Sequence, residues 1–205
     1  MEDDVVALQR AYWAQQSADV DGMLGGLGEL SEPDVAGSQR FLDAIVVPEM
    51  RTGRCALDVG AGIGRVTKYL LLPAGYARVD LLEASAAFLD RAVEYVASPR
   101  LGARFCAAMS EFDFGAREWD LIWVQWVAIY LPDDDFVAFF RACGQALTQD
   151  PASYVVLKEN VLAGPDDDPV PDDSDDAVTR ADLHLKRLWH RAGLQEKKKK
   201  KKKKR

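Results

Sequence analysis

The chain has 205 residues, 48% of them hydrophobic and 29% charged, a composition that excludes collagen-like and disordered proteins and fits a folded globular one. Its net charge of −7 hides an asymmetry: without the nine basic residues at 197–205, 17 Lys and Arg stand against 33 Asp and Glu, a body charge of −16. A body that acidic disfavours nucleic acid and anionic membrane as partners and favours a cationic one.

No stretch approaches the ~20 apolar residues of a membrane span, and Met1–Gln9 lacks the apolar run of a signal peptide. The cysteines, Cys55, Cys106 and Cys143, contain no CxxC pair. That argues against a zinc site or a disulfide framework and for reduced thiols in the cytoplasm or nucleus.

In chain order, residues 3–17 read as a helix, with Val5, Leu8, Tyr12 and Trp13 near helical spacing. Residues 19–34 read as a glycine-rich loop, and 38–47 as a helix that stops before Pro48. Strand and helix then alternate: strands at 55–60, 77–83, 103–108, 120–127 and 153–160, and helices at 65–72, 86–97, 133–147 and 177–193. On helix 86–97, Phe88, Leu89, Ala92, Val93 and Val96 fall on one side. Alternation of this kind predicts an α/β fold, a mostly parallel sheet with helices on both faces. The expected organisation is one domain over 1–196, comprising an N-terminal helical and loop extension (1–50) and a core (51–196). A poly-Lys tail follows at 197–205, read as disordered, as a nuclear-import patch, or as an artefact of gene prediction.

Ligands of open parallel sheets bind beyond the carboxyl ends of the strands. The first such turn, "CALDVGAGIGR" (55–65), spaces its glycines G-x-G-x-G, with Arg65 where a dinucleotide fingerprint would place its third glycine. Asp58 lies inside the apolar strand, and Glu83 ends the second strand about 20 residues on, where an acid grips ribose hydroxyls. This combination resembles motif I of the S-adenosylmethionine-dependent methyltransferases.

Four further stretches, "YWAQQSADVDGMLGG" (12–26), "CALDVGAGIGRVTKYLLLP" (55–73), "DLIWVQWV" (120–127) and "VVLKEN" (155–160), narrow the likeness. Together they resemble the protein alpha-N-terminal methyltransferases, over roughly residues 10–194. The resemblance implies a Rossmann-like class I fold that uses S-adenosyl-L-methionine. It also implies methyl transfer to the free α-amino group of proteins that begin Xaa-Pro-Lys or Xaa-Pro-Arg once Met is removed. It assigns Gly60, Arg65, Glu83, Ala84, Met109, Ser110 and Gln125 to the cofactor. To the substrate it assigns Trp13, Met23, Leu24, Gly25, Trp126, Asn160, Asp172 and Asp175.

The chemistry of these residues suits that task. Two Trp faces attract a cation or a methylated ammonium. The seven aspartates between Asp166 and Asp176 form an acidic segment, read as a loop, that steers basic peptides. Asp175 is expected to assist deprotonation of the amine, with Asn160 positioning it. Tyr130 stands where the family usually carries a His given a base-like role; as a poor base at neutral pH it is expected to accept a hydrogen bond. His184 and His190 read as surface residues.

The family also continues beyond the last helix with two strands that are apparently missing here. Two other readings remain open. One is a methyltransferase of a small amine or acid; the other is a weakly active relative acting as a binding partner.

Overall fold

The computed structural model describes residues 2–172 and 174–197; the tail at 198–205 lies outside the described residues. Five strands build the central sheet: β1 (Cys55–Val59), β2 (Arg78–Glu83), β3 (Leu101–Cys106), β4 (Leu121–Gln125) and β5 (Tyr154–Lys158). All pair in parallel, in the order β3-β2-β1-β4-β5. Every residue of β4 is buried, as a strand covered on both faces requires.

Side chains alternate between two cores, as period-2 geometry dictates. Ala56 and Trp123 join the layer beneath α3 (Ser31–Ile45) and α4 (Ala86–Val96), with Leu42, Leu89 and Ala92. Leu57, Val59, Ile122 and Val124 join the opposite layer, beneath α5 (Asp133–Gln145) and α6 (Asp182–Arg191), with Phe136, Phe140 and Leu188. Ser85 caps α4 by accepting from the Phe88 N–H at 3.3 Å. Asp133, Asp134 and Asp135 occupy the first turn of α5, where the dipole favours negative charge.

The N-terminal segment contributes α1 (Glu2–Trp13), the short α2 (Val20–Met23) and α3. Four expectations change. Helix α3 begins at Ser31, inside the segment read as loop. Val93 is 45% exposed, so α4 buries only Phe88, Leu89, Ala92 and Val96. The helical segment after β1 is wound as a π-turn at Thr67–Leu71, with the Leu72 N–H bonded to the Thr67 carbonyl at 3.0 Å.

The fourth change matters most for the site. Residues expected to open the last helix instead form β7 (Ala177–Thr179), antiparallel to β6 (Val170–Asp172), so much of the acidic segment is a hairpin. Val178 with its neighbours has the β-branched character of a strand. Buried Arg180 clamps the hairpin base, donating to the Leu131 carbonyl at 2.6 Å and to Asp133 at 2.9 Å.

Candidate active site

The strand order reverses between β1 and β4, and a crevice opens at their carboxyl ends, the position expected for a ligand in an open parallel sheet. A cavity of about 330 Å³ lies there. Gly60 turns the chain out of β1 at φ +65°, and a Cβ on it would lie 2.6 Å from Val127. Gly62 follows at φ +53°, with the Met23 thioether packed where its Cβ would be. The residue type at both positions is therefore set by backbone conformation and by close packing together.

Asp58 is fully enclosed beneath this turn. It accepts from the Thr67 N–H at 3.0 Å and from the Thr67 hydroxyl at 2.7 Å, fixing the start of the following helical turn. Burial pushes its carboxyl up to about 6 against those bonds. Glu83 borders the cavity, with Oε2 accepting from the Gly62 N–H at 2.9 Å and Oε1 from the Ser85 N–H at 2.8 Å. Burial raises its pKa, and the N–H donors oppose the rise.

Of the residues expected at the cofactor, Gly60, Arg65, Glu83, Ala84, Met109 and Gln125 line the cavity. Ser110 does not: it is exposed on the 3-10 turn Met109–Glu111. Arg65 is buried and already holds a protein partner, with Nη1 at 2.8 Å from Asp34. Gln125 donates to both oxygens of the same carboxylate, at 3.0 and 2.9 Å, and accepts from Trp123 Nε1 at 3.0 Å.

Of the substrate-side residues, Trp13, Met23 and Trp126 line the same cavity, together with Tyr130. Trp13 meets Tyr130 edge to face at 6.1 Å between centroids. Trp126 sits at φ +56°, a conformation rare for a bulky residue and concentrated at functional sites. Leu24 and Gly25 continue the Met23 loop outside the cavity lining, and Asn160, Asp172 and Asp175 also stand outside it. Asn160 is exposed at the end of β5. Asp172 is exposed, its Oδ1 accepting from both the Ser174 N–H and hydroxyl.

Asp175 reaches the cavity through a neighbour. Its Oδ2 accepts from the Tyr130 hydroxyl at 2.7 Å and its Oδ1 from the Ala177 N–H at 3.1 Å. Tyr130 therefore donates rather than accepts. Burial, and then the Asp175 bond, raise its pKa far above that of a free phenol. His184 is not a bare surface residue either: it is partly buried against Asp133 at 2.7 Å.

Sequence reasoning missed Asp34, Lys158 and Glu159. Partly buried Glu159 accepts from the Ala128 N–H at 3.1 Å and the Asn160 N–H at 3.0 Å, tying the Trp126–Tyr130 turn to the end of β5. Burial pushes its carboxyl up to about 7. Its only sequence signal was its place beside Asn160.

The lining suits a nucleoside carrying an amino-acid tail. It offers the Glu83 carboxylate, apolar walls from Leu82, Phe88, Met109 and Val127, and the Arg65 guanidinium and Gln125 amide. Fold and site together define a class I S-adenosylmethionine-dependent methyltransferase. An S-adenosylmethionine-dependent methyltransferase from Leishmania major shares the fold at a TM-score of 0.84, with 39% identity, over 95% of this chain and 74% of that one.

The profile of the AdoMet dependent proline di-methyltransferases matches residues 2–204. N-terminal Xaa-Pro-Lys N-methyltransferase 1 of Danio rerio is 42% identical over 187 residues, spanning 89% of this chain and 81% of that protein. Alpha N-terminal protein methyltransferase 1 of Drosophila melanogaster is 43% identical over 174 residues, 82% of this chain and 60% of that protein. The chain belongs to the AdoMet-dependent proline di-methyltransferase family.

Proposed function

We propose that this enzyme methylates the free α-amino group of proteins whose processed N-terminus reads Xaa-Pro-Lys or Xaa-Pro-Arg, in the cytoplasm, the nucleus or both. One observation carries the reading. A single cavity runs from the glycine turn and Glu83 to a wall of Trp13, Trp126 and Tyr130, and Tyr130 holds Asp175 of an acidic hairpin. The names borne by relatives at about 40% identity support the same substrate class.

S-adenosylmethionine, when bound, supplies an electrophilic methyl group on a sulfonium sulfur. The chain's residues do the rest. Glu83 keeps lone pairs beyond its two backbone bonds and would accept from the ribose hydroxyls. Arg65 and Gln125 would hold the amino-acid end, and Ala84 and Met109 the base, with Ser110 outside the lining beside Met109. On the substrate side, Met23, Leu24 and Gly25 form the loop over the channel, and the two Trp faces receive the cationic N-terminus. Asn160 holds the first peptide unit, and Asp172 attracts the third-position cation.

A peptide α-amine has a free pKa of ~7.7–8.0, so much of it arrives protonated. The Asp175 carboxylate, outside the cavity lining and bonded to the Tyr130 hydroxyl, would draw that proton out through a bridging water to solvent. Tyr130 keeps the carboxylate aimed and is itself never the base. The neutral amine, walled by Trp13, Trp126 and Tyr130, would then accept the methyl group, the electron pair of the broken S–C bond staying on sulfur. Holding the two reactants in line is the principal contribution of the site.

The test is mass spectrometry of a Ser-Pro-Lys peptide incubated with the enzyme and S-adenosylmethionine, beside an N-acetylated copy. A gain of about 14, 28 or 42 Da on the free peptide alone is expected for direct transfer of one to three methyls. Methylation of small amines in preference to the peptide supports the small-molecule reading. Cofactor binding without transfer supports a binding role.

A further inference from the structure

We propose that Asp34 is a positioning residue for this reaction, a single carboxylate of α3 that sets the orientation of Arg65, Gln125 and Lys158 around the Trp126 ring. The inference deepens the proposed function and rests on its placement of Arg65 and Gln125 beside the cofactor.

Asp34 is only 5% exposed in its side chain and sits where four segments converge. One oxygen accepts from Arg65 Nη1 at 2.8 Å, and the two oxygens share the Gln125 amide at 2.9 and 3.0 Å. Lys158 at the end of β5 bonds the same carboxylate, and its ammonium also donates to Ser38 of α3 at 2.8 Å. Arg65 follows β1, Gln125 ends β4 and Lys158 ends β5. The N-terminal segment thus reaches two carboxyl ends of the sheet and the turn that follows a third strand through one side chain.

Burial alone would raise the Asp34 pKa, yet the hydrogen bonds from Lys158, Gln125 and Arg65 hold it below the usual carboxylate range. The group is a charged, fully partnered anchor.

Two consequences follow from the geometry. First, Nη1 is the only guanidinium nitrogen of Arg65 that makes hydrogen bonds among the described residues. The planar fork is therefore held from one side, leaving Nε and Nη2 for an acceptor in the cavity. Second, Arg65 and Lys158 each lie 5.5 Å from the Trp126 ring centroid, so the same carboxylate fixes two cations beside one aromatic ring. Trp126 itself holds a left-handed backbone, and its N–H is bonded to the Lys158 carbonyl at 3.0 Å. A carboxylate so placed sets the cofactor side and the substrate wall together from outside the cavity lining.

The experiment measures S-adenosylhomocysteine affinity by calorimetry and steady-state kinetics on the full chain, for wild type, Asp34→Asn, Asp34→Glu, Asp34→Asn/Lys158→Met and Arg65→Met. Asp34→Asn is expected to weaken binding about tenfold, the effect of one lost hydrogen bond to a charged group. The KM for cofactor should rise more than kcat falls, and Asp34→Glu should recover most of the loss. The double variant removes one cation with the carboxylate, so it serves where Asp34→Asn alone leaves too much buried charge to fold.

If Arg65→Met weakens binding while Asp34→Asn or the double variant binds like wild type, the Asp34 proposal is overturned and the cofactor reading stands. If Arg65→Met itself binds like wild type, the placement of Arg65 at the cofactor fails, and the Asp34 proposal fails with it. A melting temperature lowered equally by Asp34→Asn and Asp34→Glu, with affinity unchanged, would mark a purely structural contact and overturn the proposal.

Discussion

The Tyr130 hydroxyl donates to Asp175 Oδ2 at 2.7 Å, so the turn after β4 and the β6–β7 hairpin meet at one carboxylate. Tyr130 is also bound through its carbonyl, which accepts from the Gln9 amide of α1 at 3.2 Å. Removing only the hydroxyl, in Tyr130→Phe, should lower kcat about tenfold, the effect of one hydrogen bond to a charged group, and leave S-adenosylhomocysteine affinity unchanged. Because burial and Asp175 raise the phenol's pKa, the wild-type pH–rate profile should show no inflection from Tyr130 between pH ~6 and ~10. Comparison of the wild-type and Tyr130→Phe profiles checks this directly.

Asp175→Asn keeps the shape of the side chain and removes its charge. Turnover on a Ser-Pro-Lys peptide should fall far more than cofactor affinity, because Asp175 stands outside the cavity lining that Glu83 and Gln125 share. Parallel kinetics and calorimetry test it, and equal loss in both would contradict a role in proton transfer.

Glu83→Gln retains one carbonyl acceptor for the Gly62 or Ser85 N–H and loses the charge. Cofactor binding should weaken about tenfold, with peptide KM little changed. The wild-type carboxyl is raised by burial, so cofactor affinity should drop as the pH is lowered through its titration. That acid-side loss should be reduced in the Gln variant.

Gly60→Ala places a Cβ 2.6 Å from Val127 on a backbone at φ +65°. Left-handed strain and overpacking add, for a loss of about 2–4 kcal/mol of stability. Thermal unfolding reads it, and displacement of Val127 should reduce cofactor affinity in the same variant.

Glu159 gives stability a pH dependence. Its folded pKa of about 7 lies above the 4.5 of the free group. The folded state therefore binds the proton more tightly, and the contribution is complete below pH 4.5 and lost as pH rises through about 7. Between those limits, wild type should lose on the order of 2–3 kcal/mol relative to Glu159→Gln. Urea unfolding of both proteins across that range measures the difference, and parallel curves would contradict it.

The local sequence carried the sheet and the first half of the site. Apolar runs such as "LIWVQ" can be buried only in a doubly covered strand, and the glycines after β1 answer to backbone conformations that no other residue adopts freely. The acid ending β2 also follows from chain order, because Glu83 lies one crossover beyond the turn. The family resemblance added Trp13 and Trp126, which line the cavity, and Asn160 and Asp175, which stand outside its lining.

What the sequence could not show were relationships between distant segments. Asp34 and Lys158 are 124 residues apart and meet only because α3 packs across the ends of β4 and β5. The hairpin at 170–179 was hidden because three-residue strands leave almost no periodic signal. The direction of the Tyr130–Asp175 bond depends on burial and on which atoms face each other. Backbone preference and side-chain hydrophobicity act locally and are written in the chain; the sharing of one carboxylate by two strand ends and the turn after a third strand arises only when tertiary packing brings them to the same point.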